Sequence, residues 1–260
     1  MGDGLRLALT TLTVARVRGP RSIDRRTAGA AMALAPVVGL GLGLVAAAVL
    51  AAAQALTRAG TPPLLACALT LATLAVLTRG LHLDGLSDLA DGLGSYLPAE
   101  RARAVMKQPD VGAIGLAAVV LVLLVQVGAL LGAVQSGRGT VGTVLSVVVG
   151  RIAVTAACRS TPAAAPDGLG ALVAGTVRRG VPVGWALVAA GTGAAYELTA
   201  GGLVDGARPI LAVALALLAA RLLRRHAVRR LGGLTGDVLG AVVETATTVS
   251  LVVMACDLPL

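Results

Sequence analysis

The chain has 260 residues, of which 57% are hydrophobic and only 13% charged, and its mean hydropathy is +0.88. Apolar runs of about twenty residues recur, each long enough to cross a ~30 Å hydrocarbon core as a helix, which excludes a soluble globular domain. A net charge of +9 would suggest nucleic acid in a soluble protein; in a membrane chain it reads as topology, and no nucleic-acid partner is expected.

Seven hydrophobic segments follow one another, at residues 28–56, 64–78 (short), 112–134, 140–157, 181–199, 209–223 (short enough to be tilted or partly interfacial) and 238–255. Period-two alternation is absent, which argues against a β-barrel. Phe is missing and Trp occurs once, so aromatic belts cannot be built. The expectation is an all-α integral membrane protein, a polytopic bundle of about seven transmembrane helices forming one domain over 1–260. The run LALTTLTVA after Arg6 is too short and polar for a signal peptide. Cys67, Cys158 and Cys256 lie scattered in apolar runs and read as small packing residues.

Basic residues test this count. With the N-terminus cytoplasmic, 18 of the 22 Lys and Arg fall on the inner side, and the outer loops hold only Arg58, Arg138 and Arg208. That asymmetry fits the positive-inside rule and points to a multi-pass protein of a bacterial inner membrane, with the lipid bilayer as its surroundings. It also places two polar segments, 79–111 and 224–237, together on the cytoplasmic side as active-site loops.

The first polar segment carries HLDGLSDLADG, from His82 to Gly92. Asp84, Asp88 and Asp91 are spaced by four and three, so on a helix all three share a face. Three close anions repel one another, and a divalent cation resolves the conflict; Mg²⁺ takes carboxylate oxygens and leaves room for phosphate. Gly85 and Gly92 let a phosphate or another backbone approach. His82 is a candidate base or phosphate ligand. MKQPDVGAIG follows, with Lys107 a candidate phosphate contact and Asp110 a helix cap. In RRLGGLTGDVLGAVVE, Gly232, Gly233 and Gly236 make a turn and Asp237 opens the last helix, where its charge favours the helix dipole. Glu244 shares the face of Asp237 inside the membrane, where a carboxylate implies a partner or a function. Arg151 lies within the fourth span, placed either to pair with an intramembrane carboxylate or to receive a phosphate oxygen. Gly39-x-x-x-Gly43 and Gly128-x-x-x-Gly132 are close-packing motifs between helices.

HLDGLSDLADG, MKQPDVGAIG and GGLTGDVLGAVVE, in that order and in a chain of this size, resemble cobalamin synthase, the adenosylcobinamide-GDP ribazoletransferase family. The resemblance covers nearly the whole chain, including PVVGLGLG at Pro36 to Gly43. It implies an inner-membrane enzyme that joins adenosylcobinamide-GDP to α-ribazole, or its 5′-phosphate, and releases GMP with Mg²⁺ as cofactor. By motif match it carries catalytic roles to His82, Asp84, Asp88, Asp91 and Asp237, the four aspartates also holding metal. Substrate binding falls to Lys107, Arg151, Gly232, Gly233, Thr235, Gly236 and Glu244. Where many members have Asp-Ser-Arg, this chain has Gln108-Pro109-Asp110, so no role is carried to the basic residue of that triplet. Self-association, or association with other corrinoid-pathway enzymes, is left open. Two rival readings stand beside this one. A CDP-alcohol phosphotransferase-like enzyme would show a DG..AR element, whereas Asp91-Gly92 is followed by Leu93-Gly94-Ser95-Tyr96. A cation-coupled transporter would need its carboxylates near the bilayer midplane.

Overall fold

The computed structural model describes residues 1–57, 62–201 and 203–256, and among these it contains twelve helices and no strand. An arm of α1 (Asp3–Leu12) and α2 (Arg25–Ala33) leads into α3 (Ala35–Thr57) and α4 (Pro63–Leu77). Then come α5 (Leu81–Gly94), α6 (Ala99–Val105), α7 (Ala113–Gln135) and α8 (Gly139–Ala157). The chain ends with α9 (Gly168–Val173), α10 (Gly180–Gly201), α11 (Leu203–Leu231) and α12 (Gly236–Ala255).

Among the described residues, five helices are long and apolar enough to cross a bilayer: α3, α7, α8, α11 and α12. Counting the bent pair α4–α5 as one span gives six. With the 22-residue α10 packed along α11, the long rods number about seven, in line with the hydropathy reading. Two boundaries are corrected. The first apolar run is not continuous from residue 28: α2 ends at Ala33, and α3 starts afresh with Pro36 in its first turn, where a missing N–H costs nothing. Asp24 starts α2 by accepting the Thr27 N–H at 2.7 Å, and α2 packs on α1 rather than extending the span. The sixth run is longer than its apolar core: α11 has 29 residues, about 43 Å of helix. Pro209 lies inside it, and the arginines of 221–230 continue it because Arg, Leu and Ala are good helix formers.

Small residues set the packing. A Cβ on Gly39 would lie 3.1 Å from the Arg151 side chain, and one on Gly43 would lie 3.1 Å from Val144 Cα, so α3 runs antiparallel along α8. Gly142 faces Met254 and Gly150 faces Val243 and Thr247, so α8 runs antiparallel to α12. Of the second glycine pair, Gly132 meets Ala255 whereas Gly128 faces open space. One end of the bundle therefore gathers the C-termini of α4, α8 and α11 with the N-termini of α3, α7, α10 and α12. At the opposite end Asp205 pairs with Arg208 and, at 3.7 Å, with Arg138. Two of the three basic residues expected on the outer side thus share one carboxylate; Arg58 lies outside the described residues. Cys67 and Cys158 are buried packing residues, while Cys256 is exposed.

Candidate active site

The chain leaves α4 through Arg79 and Gly80, both left-handed at φ 56° and 67°. Gly80 takes that conformation freely; Arg79 is held there, its guanidinium donating to the Thr10 and Thr11 carbonyls of the arm at 3.3 Å. The turn sets α5 at 88° to α4. α5 consequently lies across the N-terminal ends of α7 and α12, outside the spanning rods. The HLDGLSDLADG run is thus a helix, and residues 79–111 are mostly α5 and α6 rather than an open loop.

The expected close approach at Gly85 is real, and what approaches is backbone. A Cβ there would lie 3.0 Å from Asp237 Cα and 3.2 Å from Gly240 Cα. α5 and α12 touch at this glycine crossing, and Asp84 and Asp88, one residue before and three after Gly85, are brought beside Asp237. Burial, followed by the charges of Asp84, Asp237 and Asp91, pushes the Asp88 carboxyl up to about 6. Four carboxylates therefore do share one electrostatic neighbourhood.

They do not share one role. Asp91 turns to α7: Gly112 N–H and Gly115 N–H each donate to one of its oxygens at 2.8 Å. It caps the helix that carries the third span. Asp84 is exposed and Asp88 half-buried. Among the described residues, no three His, Cys, Asp or Glu side chains stand close enough to cage a metal ion. The donor chemistry nonetheless fits Mg²⁺ in its usual enzyme mode, with one or two carboxylates, waters and substrate phosphates completing the shell.

The start of α12 is built by a distant segment. Gly232 is left-handed at φ 82°, and Leu234 forms an isolated parallel bridge with Ala163. Leu234 N–H donates to the Pro162 carbonyl at 2.8 Å, and Ala164 N–H donates to that of Leu234 at 3.1 Å. A Cβ on Gly233 would strike Ala163 and Ala164 at 2.4 Å, so only glycine fits there. Thr235 caps α12, its hydroxyl accepting the Val238 N–H at 3.2 Å. These parts enclose a cavity of about 200 Å³ lined by Lys107, Asp167, Thr235, Gly236 and Asp237, with Arg103 at its edge. Arg103 and Asp167 were not expected. Arg103 donates to the Leu231 carbonyl at the end of α11. Asp167 arrives through the bridge at residues 163 and 234, which has no local signature in sequence.

Three predicted site residues sit elsewhere. His82, Arg151 and Glu244 line a separate cavity of about 30 Å³ inside the bundle, room for about one water. Arg151 is 4% exposed and its Nε has no protein partner. Gln126 donates to Glu244 Oε2 at 2.8 Å and to Thr248 Oγ1 at 2.9 Å. Of the two roles open to Arg151, the intramembrane carboxylate is the one its surroundings offer. His82, 5% exposed, faces this cluster rather than the aspartates.

The fold and site define a polytopic helical membrane protein with an acidic and phosphate-sized polar site at one end of the bundle. A family model for cobalamin-5-phosphate synthase matches residues 4–255. The chain is 44% identical to an adenosylcobinamide-GDP ribazoletransferase of Frankia casuarinae, over 98% of this chain and 95% of that one. It is 41% identical to the enzyme of that name from a Nocardioides species (98% and 99%), and 37% identical to that of Pseudomonas aeruginosa (96% and 97%). The chain belongs to the cobalamin-5-phosphate synthase family. No solved structure matches it.

Proposed function

We propose that the chain transfers the cobinamide phosphate of adenosylcobinamide-GDP to a ribose hydroxyl of α-ribazole or its 5′-phosphate, releasing GMP, at the inner membrane of a bacterium. The observation that carries this reading is the Gly85–Gly240 crossing, which brings the helix of Asp84 and Asp88 against Asp237, itself lining a cavity with Lys107. Family membership supplies the substrate names.

A diphosphate does not settle against these aspartates unaided, because like charges a few ångströms apart repel strongly where water is scarce. Mg²⁺, held by one or two of Asp84, Asp88 and Asp237 with water and the substrate phosphates, would neutralise it and polarise the bond that breaks. Asp91 contributes by fixing α7 and by its charge. Lys107 and the free N–H groups at the start of α12 bind the guanylate phosphate. Thr235 holds that helix start in place, and Gly232 and Gly233 keep it pressed to residues 163–164. The acceptor hydroxyl oxygen bonds to the cobinamide-linked phosphorus, and the P–O bond to the guanylate breaks. The hydroxyl proton passes to Asp84 or Asp88, and GMP leaves with the bond's electron pair. His82 is turned away from this reaction.

The test uses purified protein with Mg²⁺, adenosylcobinamide-GDP and α-ribazole. The expected outcome is one GMP per adenosylcobalamin, identified by mass, with no product after chelation. Protein that inserts and folds yet releases no GMP with either acceptor would overturn the reading.

A further inference from the structure

At the same end of the bundle, on its lipid-facing side, lies a groove of about 470 Å³ that shares no residue with the candidate active site. Its apolar wall is formed by Ala153 and Ala157 of α8, Val183 and Leu187 of α10, and Leu217 of α11. Val183 and Leu187 are 53% and 69% exposed, so the groove opens sideways towards acyl chains. Its rim carries Arg159, Arg221, Arg224 and Arg225. Through Ser160, Arg224 and Arg225 it continues into a second hollow of about 290 Å³ that adds Arg229. No carboxylate lines either space among the described residues.

Five guanidinium groups around one opening repel each other, and topology alone does not require them to converge. Positive-inside charge needs only that arginines lie on one side; here α11 and the segment after α8, which are far apart in the chain, bring theirs to a single hollow. The Nε of Arg159 is buried without a protein partner, a donor left unsatisfied. Arg224 is held in place by donating to Thr161 Oγ1. An apolar trough ending in a ring of unneutralised cations, level with the helix ends, matches an acyl chain joined to a phosphate.

We propose that this groove is a binding site for an anionic phospholipid, with an acyl chain along Val183, Leu187 and Leu217 and the headgroup phosphate among Arg159, Arg221 and Arg225.

The full-length protein in neutral detergent is titrated with short-chain phosphatidylglycerol, phosphatidylcholine of equal chain length and glycerol phosphate. Bound lipid is read by native mass spectrometry and by the shift in Tm. Phosphatidylglycerol should bind and raise Tm, while the other two should not. Each arginine near an anionic lipid is worth roughly a fivefold change in affinity, so Arg221→Gln with Arg225→Gln should weaken binding about thirtyfold. Val183→Trp fills the trough without touching charge or topology and should displace the lipid equally. Equal binding of phosphatidylcholine would overturn the proposal, as would glycerol phosphate binding as well as the lipid. Undiminished phosphatidylglycerol binding by Val183→Trp would overturn it too, whatever the double arginine variant does.

Discussion

Gly85 of α5 and Gly240 of α12 meet backbone to backbone: a Cβ on Gly240 would lie 3.1 Å from the His82 carbonyl oxygen and 3.2 Å from Gly85 Cα. No side chain separates the helix that carries Asp84 and Asp88 from the one that carries Asp237. Gly240→Val should wedge them apart. A shift of about 1 Å at a reacting centre costs on the order of a hundredfold in rate. The expected outcome is a kcat lower by about that factor in protein that still inserts and keeps its helical circular dichroism.

Asp91 differs from its two sequence neighbours because both its oxygens hold α7. Asp91→Ala should cost about 1–2 kcal/mol, as loss of a helix cap does. Thermal unfolding in detergent should show it destabilised, whereas Asp84→Asn, at an exposed position, should unfold like the parent and lose only turnover.

Burial, and then the like charges of Asp84, Asp237 and Asp91, hold the Asp88 carboxyl up at about 6. Relieving that repulsion should stabilise the apo-protein. Asp88→Asn should raise Tm by roughly 2 °C, the shift that somewhat under 1 kcal/mol produces in a chain of this length, while GMP release falls. A lower Tm would show that the carboxylate is a structural asset rather than a functional strain.

Inside the bundle, Glu244 accepts from Gln126 beside the partly unsatisfied Arg151. Glu244→Ala leaves buried donors without their acceptor and should cost about 1–3 kcal/mol. Glu244→Gln keeps an acceptor for Gln126 and should lose less. Comparing the two melting temperatures separates this packing role from a role in binding substrate, which would make both variants equally inactive at unchanged Tm.

Much of this was legible in the linear sequence for physical reasons. Apolar runs of bilayer length mark the rods because lipid demands them. The 4-3 spacing of aspartates foretells a shared helical face, and GGLTGD foretells a tight entry to α12. What was hidden depends on residues far apart in the chain. The break at Leu34 interrupts an apolar run that composition alone reads as continuous. Asp91 acquires its role from amides 21 and 24 residues away. Asp167 and Arg103 reach the site only through the bridge between residues 163 and 234 and the end of α11, neither of which leaves a periodic trace. Arg151 and His82 read as site residues because their charge or chemistry suggested it, yet packing turns both into the bundle.

In the proposed reaction Asp84 and Asp237, from different helices, act on one metal-bound diphosphate. The most direct test of that shared action is the Mg²⁺ dependence of GMP release by Asp84→Asn, Asp237→Asn and the double variant. Each single variant should lose at least a hundredfold, with the double variant little worse, since residues acting as one unit are strongly non-additive. Losses that multiply in the double variant, or Mg²⁺ saturation unchanged in all three, would contradict it.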